Sequence, residues 1–303
     1  MLVVSDEVRK AVAERRPVVA LESTIIAHGL PRPRNLQVAK DLEAVVRGEG
    51  AVPATIAVLD GRLNVGLDAA QLERVANEDG IRKFGHRDLP LAVATGASGA
   101  TTVSATALLA ARAGVRVFAT GGLGGVHRQW TVTQDESADL GLLARTRVTV
   151  VCAGVKSILD VAATLERLET LGVAVAGYRT NRFPGFYLAD SGYGVDWRLE
   201  TPGEVAAVMR AQDAVGGPES ALIVANPVPT AEQLDPVLHA RVLDEALRVC
   251  EERGVTGQAI TPFLLDELVR RTEGASLEAN LAAVRGNVRL AGRIAGAWAG
   301  RCE

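Results

Sequence analysis

Seven short apolar runs rich in β-branched residues recur between helical stretches, and this alternation restricts the fold more than any other feature of the chain. They are PVVALEST (17–24), VPATIAVLDG (52–61), PLAVATG (90–96), VRVFATGG (115–122), RVTVVCAG (147–154), VAVAGYRT (173–180) and SALIVANPV (220–228). A strand covered on both faces has no solvent side to mark with polar residues, so unbroken apolar runs of this length predict buried strands. Segments 34–50, 105–114, 157–172 and 201–216 carry apolar residues at helical spacing and end in glycine, as helices often do. Together they predict a mostly parallel sheet covered by helices. In TIAVLDGRLNVGL (55–67), Asp60-Gly61 stands between two strand-like runs, the signal of a two-residue hairpin, so the sheet is expected to be mixed. After Pro227 the chain reads as nearly all helical, with no repeat or Pro/Ser-rich linker. The expectation is one α/β domain over 1–303 with a helical C-terminal part.

Composition excludes some functions. With 303 residues, 48% hydrophobic and 23% charged, the chain has a globular composition and material for a sizeable core. A net charge of −3 and the lack of a long Lys/Arg run argue against a nucleic-acid surface. Cys152, Cys250 and Cys302 are too few and too scattered for a disulfide framework or a Cys-x-x-Cys metal site, which fits a reducing cytoplasm. The opening MLVVSDEVRKAVAERRP mixes charges among its apolar residues, so neither export nor a membrane anchor is expected.

In an open α/β sheet, ligands bind beyond the carboxyl ends of the strands. The residues there are Glu22, Thr95 with Ser98, the glycines and His127-Arg128 of ATGGLGGVHR, Lys156, Arg179 and Asn226. Loop polarity alone explains any one of them; their number suggests chemistry. The glycine loop 121–125 fits neither a dinucleotide fingerprint nor a P-loop, but it allows close backbone approach. TGASGATTVSAT (95–106) leads hydroxyls into a helix start, where free N–H groups serve a phosphate or an ordinary cap. Lys83 reads as a solvated loop lysine. Asp135, Glu136 and Asp139 near a helix start suit the helix dipole or a hard cation such as Mg²⁺ or Mn²⁺. Ser157 and Asp160 form an S-x-x-D capping signal, which puts Lys156 just before the N-cap. An ammonium is disfavoured there, so the lysine is either a Schiff-base nucleophile or a side chain whose head reaches water. Glu22 is either a carboxyl of raised pKa or one bonded to loop N–H groups.

The segments ALESTIIAHGLP, GAVPATIAV, RDLPLAVATGASGATTVSAT, FATGGLGGVHR, SADL and VTVVCAGVKSILD together resemble the pseudouridine-5′-phosphate glycosidases, in the same order. VANPVP and TPFLL extend the likeness beyond the catalytic half. The resemblance implies a three-layer α/β/α sandwich, a divalent cofactor, usually Mn²⁺, and a homotrimer. It implies reversible cleavage of the C–C glycosidic bond of pseudouridine 5′-phosphate to uracil and ribose 5-phosphate, without nucleic-acid or membrane partners. By motif, the nucleophile falls on Lys156 and the proton donor on Glu22. The metal ligand falls on Asp135, and substrate contacts on Lys83, Val103, Ser137, Ala138 and Asp139. Gln134 stands where the family pattern has an aromatic, and Glu136 adds a charge. The rival readings are a class I aldolase on a (β/α)₈ barrel, against which the Asp60-Gly61 hairpin counts, and a non-catalytic sugar-phosphate sensor.

Overall fold

The computed structural model describes residues 1–216 and 219–300. Among these residues eleven strands form one sheet: β1 (Leu2–Val4), β2 (Val18–Leu21), β3 (Val52–Leu59), β4 (Arg62–Val65), β5 (Arg82–Phe84), β6 (Gly99–Thr101), β7 (Val117–Ala119), β8 (Thr149–Cys152), β9 (Ala174–Tyr178), β10 (Trp197–Leu199) and β11 (Leu222–Ala225). The order is β1-β4-β3-β2-β7-β8-β11-β9-β10, with β6 attached to β3 and β5 to β6. From β3 through β10 in that order, all neighbours are parallel. The long strand β3 pairs antiparallel with β4 and with β6, which makes the sheet mixed. The path has two ends, unlike a closed (β/α)₈ barrel.

Alternation along the strands shows why both faces are covered. Val18 and Ala20 of β2, Phe118 of β7, Val150 of β8 and Ile223 of β11 belong to one apolar cluster. Val19, Leu21, Val117, Val151, Leu222 and Val224 belong to another. Side chains of successive strand residues point to opposite faces, so the sheet lies between two helical layers. The first layer includes helices Val103–Arg112 and Val161–Thr170. The second is built on Arg34–Gly48, Pro202–Val215 and the 25-residue helix Ala275–Ala299. That last helix packs over β2, β7 and β8 through Leu281, Val284 and Val288. The architecture is a three-layer α/β/α sandwich with a mostly parallel mixed sheet, and beyond Ala225 it is helical.

The hairpin expected at Asp60-Gly61 joins β3 to β4, with both residues at positive φ, +50° and +71°. Segment 90–96 departs from the reading: it is the helix Leu89–Thr95, closed by Gly96 in the left-handed region. Pro90 stands in its first turn and Leu89 and Ala92 face inward, so the apolar residues follow a helical spacing that so short a run conceals. Cys152 and Cys250 are buried free thiols, and Cys302 lies outside the described residues. Among the described residues no helix is long and apolar enough to cross a membrane.

Candidate active site

The parallel strands deliver their carboxyl ends to one side of the sheet, and a cavity of about 490 Å³ opens there. Glu22, Lys83, Val103, Asp135, Ser137, Ala138, Asp139 and Lys156, all marked in the sequence, line it together. Glu22 follows β2 directly, Lys83 lies in β5, Val103 opens the helix behind β6, and Lys156 lies four residues beyond β8.

The Glu22 carboxylate accepts a hydrogen bond from the Thr120 hydroxyl, just past β7. Although part of the residue faces the cavity, the carboxyl is surrounded by protein, and burial raises its pKa. The charge of Lys156 and the Thr120 bond oppose that shift without reversing it. The Lys156 ammonium donates to the Gly122 carbonyl at 3.0 Å, and its backbone N–H to the Leu123 carbonyl at 3.1 Å.

The capping role expected of Ser157 is not what the structure holds. The following helix starts at Val161, and its N-cap is Asp160, whose carboxylate accepts from Ala163 N–H at 2.9 Å. Residues 155–159 form an irregular segment because Val155, Ile158 and Leu159 are buried and the N–H of Asp160 is committed to the Val126 carbonyl. Lys156 therefore does not stand at a helix N-terminus, and the helix-dipole argument for it falls.

Lys83 makes no ion pair or side-chain hydrogen bond among the described residues. Enclosure by the cavity walls and the nearby Lys156 ammonium lower its pKa, tempered by the surface it keeps open to the cavity. Asp139 is buried, with one oxygen accepting from Ser104 N–H at 2.8 Å and the other from Gly124 N–H at 3.0 Å. It thus occupies one of the helix-start N–H groups that the sequence offers to a phosphate, and ties that helix to the glycine loop. Ser137 caps the next short helix by accepting from Asp139 N–H at 3.2 Å, and Ala138 opens it.

Asp135 faces the imidazole of His127 at 3.8 Å, an ion pair only when the ring is protonated. Glu136 accepts from Nε and Nη2 of Arg167, at 2.9 and 3.0 Å. Among the described residues no group of three or more His, Cys, Asp or Glu side chains converges as a metal site. With Asp139 and Glu136 committed elsewhere, the donor set fits a hard cation held through the single carboxylate of Asp135 and otherwise by water and substrate, a mode common for Mg²⁺.

Of the other strand-end residues, Gly121, Gly122, Gly124 and His127 also line the cavity, whereas Thr95, Ser98, Arg128, Arg179 and Asn226 do not. The Thr95 hydroxyl donates to Leu91 O, Ser98 accepts from Asp60 N–H, and Asn226 donates to Asn287. Arg179 donates to Glu200 O and lies over the Tyr178 ring, while Arg128 donates to the carbonyls of Ser157 and Ile158. Sequence reasoning missed Phe186, in a loop after β9, and Asn280, on the final helix. The Asn280 side-chain oxygen is buried without a hydrogen-bond partner among the described residues. A mid-helix asparagine in SLEANLAAV carries no signal that would single it out. A second cavity, of about 520 Å³, lies where β2 and β7 begin. Its Arg116 is paired to Asp213 and stacked on Trp298, which gives that arginine a structural role.

The family model described as Indigoidine synthase A like protein matches residues 7–297. A pseudouridine-5′-phosphate glycosidase of Streptomyces griseus is 72% identical over 291 residues, 96% of this chain and 90% of its own. The chain belongs to the pseudouridine-5′-phosphate glycosidase family. A second glycosidase of that name, from Frankia alni, is 60% identical over 99% of this chain and 83% of its own. Among solved structures, the prealnumycin C-glycosynthase AlnA in complex with ribulose 5-phosphate is 40% identical, with a TM-score of 0.91 covering 99% of this chain and 97% of that one. The similarity within the family therefore extends over the whole sheet and both helical layers.

Proposed function

We propose that this chain is a pseudouridine-5′-phosphate glycosidase that works through a Schiff base on Lys156. The observation that carries the reading is the meeting of the Lys156 amine and the Glu22 carboxyl, whose pKa burial raises, in one cavity. The family name of relatives up to 72% identical supports it, as does the pentose phosphate bound by AlnA.

Cleavage between two carboxylates suits an oxygen or nitrogen leaving group, but here the leaving atom is C5 of uracil. In the proposed reaction Glu22 gives its proton to the ribose ring oxygen as the C1′–O4′ bond opens, and the Lys156 Nζ lone pair forms a bond to C1′. The nitrogen, cationic once bound to C1′, returns a proton to Glu22, and C5 of uracil accepts that proton from the same carboxyl. As the C1′–C5 bond breaks, its electrons pass to the uracil ring and the nitrogen lone pair forms the C1′ iminium. Water hydrolyses the iminium, releasing ribose 5-phosphate and freeing the lysine. Lys83 reads the phosphate, while Val103 and the Ser137–Asp139 segment form the substrate wall. A divalent cation, Mn²⁺ by family resemblance, would be held through Asp135 and supply positive charge to substrate oxygens. The working unit is read as a cytoplasmic homotrimer.

Incubation with pseudouridine 5′-phosphate should release uracil, and borohydride with ribose 5-phosphate should add the reduced sugar to Lys156. Lys156→Ala should lose both while melting as the parent does. Uracil release by the alanine variant, or no uracil from the parent, defeats the proposal. A sugar-phosphate sensor would bind without labelling.

A further inference from the structure

Ser157 directly follows Lys156, and its hydroxyl, free of any capping role, meets His239 Nε2 at 2.9 Å. Both residues are buried, at 6% and 7% exposure, so neither group exchanges its partner for water. His239 lies in the first helical turn of Pro236–Glu252, which carries the contact across from the helical C-terminal part. Burial, and then the charge of Arg128, lower its pKa from the ordinary histidine value, with Asp244 opposing. The Tyr187 ring flanks it, at 6.0 Å between centroids. Arg128 holds the same segment, donating to the carbonyls of Ser157 at 3.0 Å and Ile158 at 3.3 Å. On its other side the lysine backbone is bonded to Leu123 in the glycine loop.

We infer that His239, acting through Ser157, is a positioning residue for Lys156. This rests on the Schiff-base reading. His239 does not line the cavity, so it acts by fixing the backbone from which the flexible four-carbon lysine stem extends. A small rotation at that root becomes a large displacement at Nζ, and a misplacement of about 1 Å can cost ~10²-fold in rate. The imidazole–hydroxyl contact thus sets the direction from which the amine approaches C1′.

The test removes the contact from each side. His239→Phe keeps a ring, Ser157→Ala deletes one oxygen, and His239→Gln restores a polar nitrogen or oxygen near the Nε2 position. Each is assayed for kcat and KM on pseudouridine 5′-phosphate, for borohydride trapping at saturating ribose 5-phosphate, and for melting temperature. The first two should lower trapping rate and kcat by ~10-fold or more, with KM within about twofold. The double variant should be no worse than the worse single, because both remove one interaction. His239→Gln should recover most of the rate. If His239→Phe misfolds, Ser157→Ala decides. A folded Ser157→Ala variant that traps within about twofold of the parent, or a double variant whose losses multiply, overturns the inference. A parent that is never labelled overturns the Schiff-base reading and this inference with it; a labelled parent with unaffected variants overturns this inference alone.

Discussion

Glu22 holds its proton more tightly in the folded chain than in the unfolded one, because burial raises its pKa. A raised carboxyl pKa contributes stability at low pH and withdraws it as pH rises through the folded value. Glu22→Gln should therefore melt at a higher temperature than the parent above that window and closer to it in acid, while turnover collapses for want of the proton. An equal melting difference at every pH would show that the carboxyl is not the titrating group. In the parent, kcat/KM should fall as pH rises through the same pKa. Among the described residues Lys83 has no hydrogen-bond or ion-pair partner to release, so its side chain is open to a phosphate. Binding energy from that remote group can orient C1′ against the nucleophile, so Lys83→Ala should impair the 5′-phosphate substrate strongly and the free nucleoside much less. Comparing kcat/KM for both substrates checks this; equal losses would assign Lys83 to the sugar or the fold. At Asp135, chelation should remove activity, and Asp135→Asn should raise the Mn²⁺ concentration needed to restore it. Identical Mn²⁺ responses in variant and parent would leave Asp135 no part in metal binding.

Between β8 and the lysine segment the chain turns through Gly154, at φ +88°, where a Cβ would strike the Pro184 carbonyl oxygen. Gly154→Ala should destabilise by more than ~1 kcal/mol and lower kcat as the Lys156 segment shifts; urea melts and uracil release measure the two. Unchanged values would show that the turn absorbs the methyl. At this scale the sequence is readable where an element is long or its turn chemistry distinctive: β3 with its Asp60-Gly61 hairpin, β8, β11 and the amphipathic helices. It is silent for β1, β5, β6 and β10, three-residue strands that, unlike β7 in VRVFATGG, lie outside any of the longer apolar runs. Segment 90–96 misleads because a seven-residue apolar stretch satisfies strand and helix alike. Glu22 and Lys156 are legible from their places just past buried strands, whereas Lys83 reads by itself as a solvated loop lysine and, with Val103, is marked only by the family resemblance. Phe186, Asn280 and His239 come from other parts of the chain, and only the packing of sheet against C-terminal helices brings them near.

An open sheet leaves two edges, and here β1 and β10 carry exposed apolar side chains, with Val3 at 40% and Trp197 at 72%. Uncovered edges suit association with further copies, and with the family resemblance they lead us to expect a trimer by light scattering; a monomer at assay concentration would refute that expectation. The helix Ala275–Ala299 has a different consequence, one of timing. Ribosomes deliver a chain from its N-terminus at ~5–20 residues per second, so Glu22, Lys83 and Lys156 are all synthesised before this helix exists. Until Leu281, Val284 and Val288 arrive, Val19, Leu21, Val117 and Val151 lack part of their cover, and the nascent sheet shows water an apolar back. The sheet is thus closed from behind by a helix made after all three of those cavity residues, and a nascent chain that has not yet received it leaves that apolar face without part of its cover.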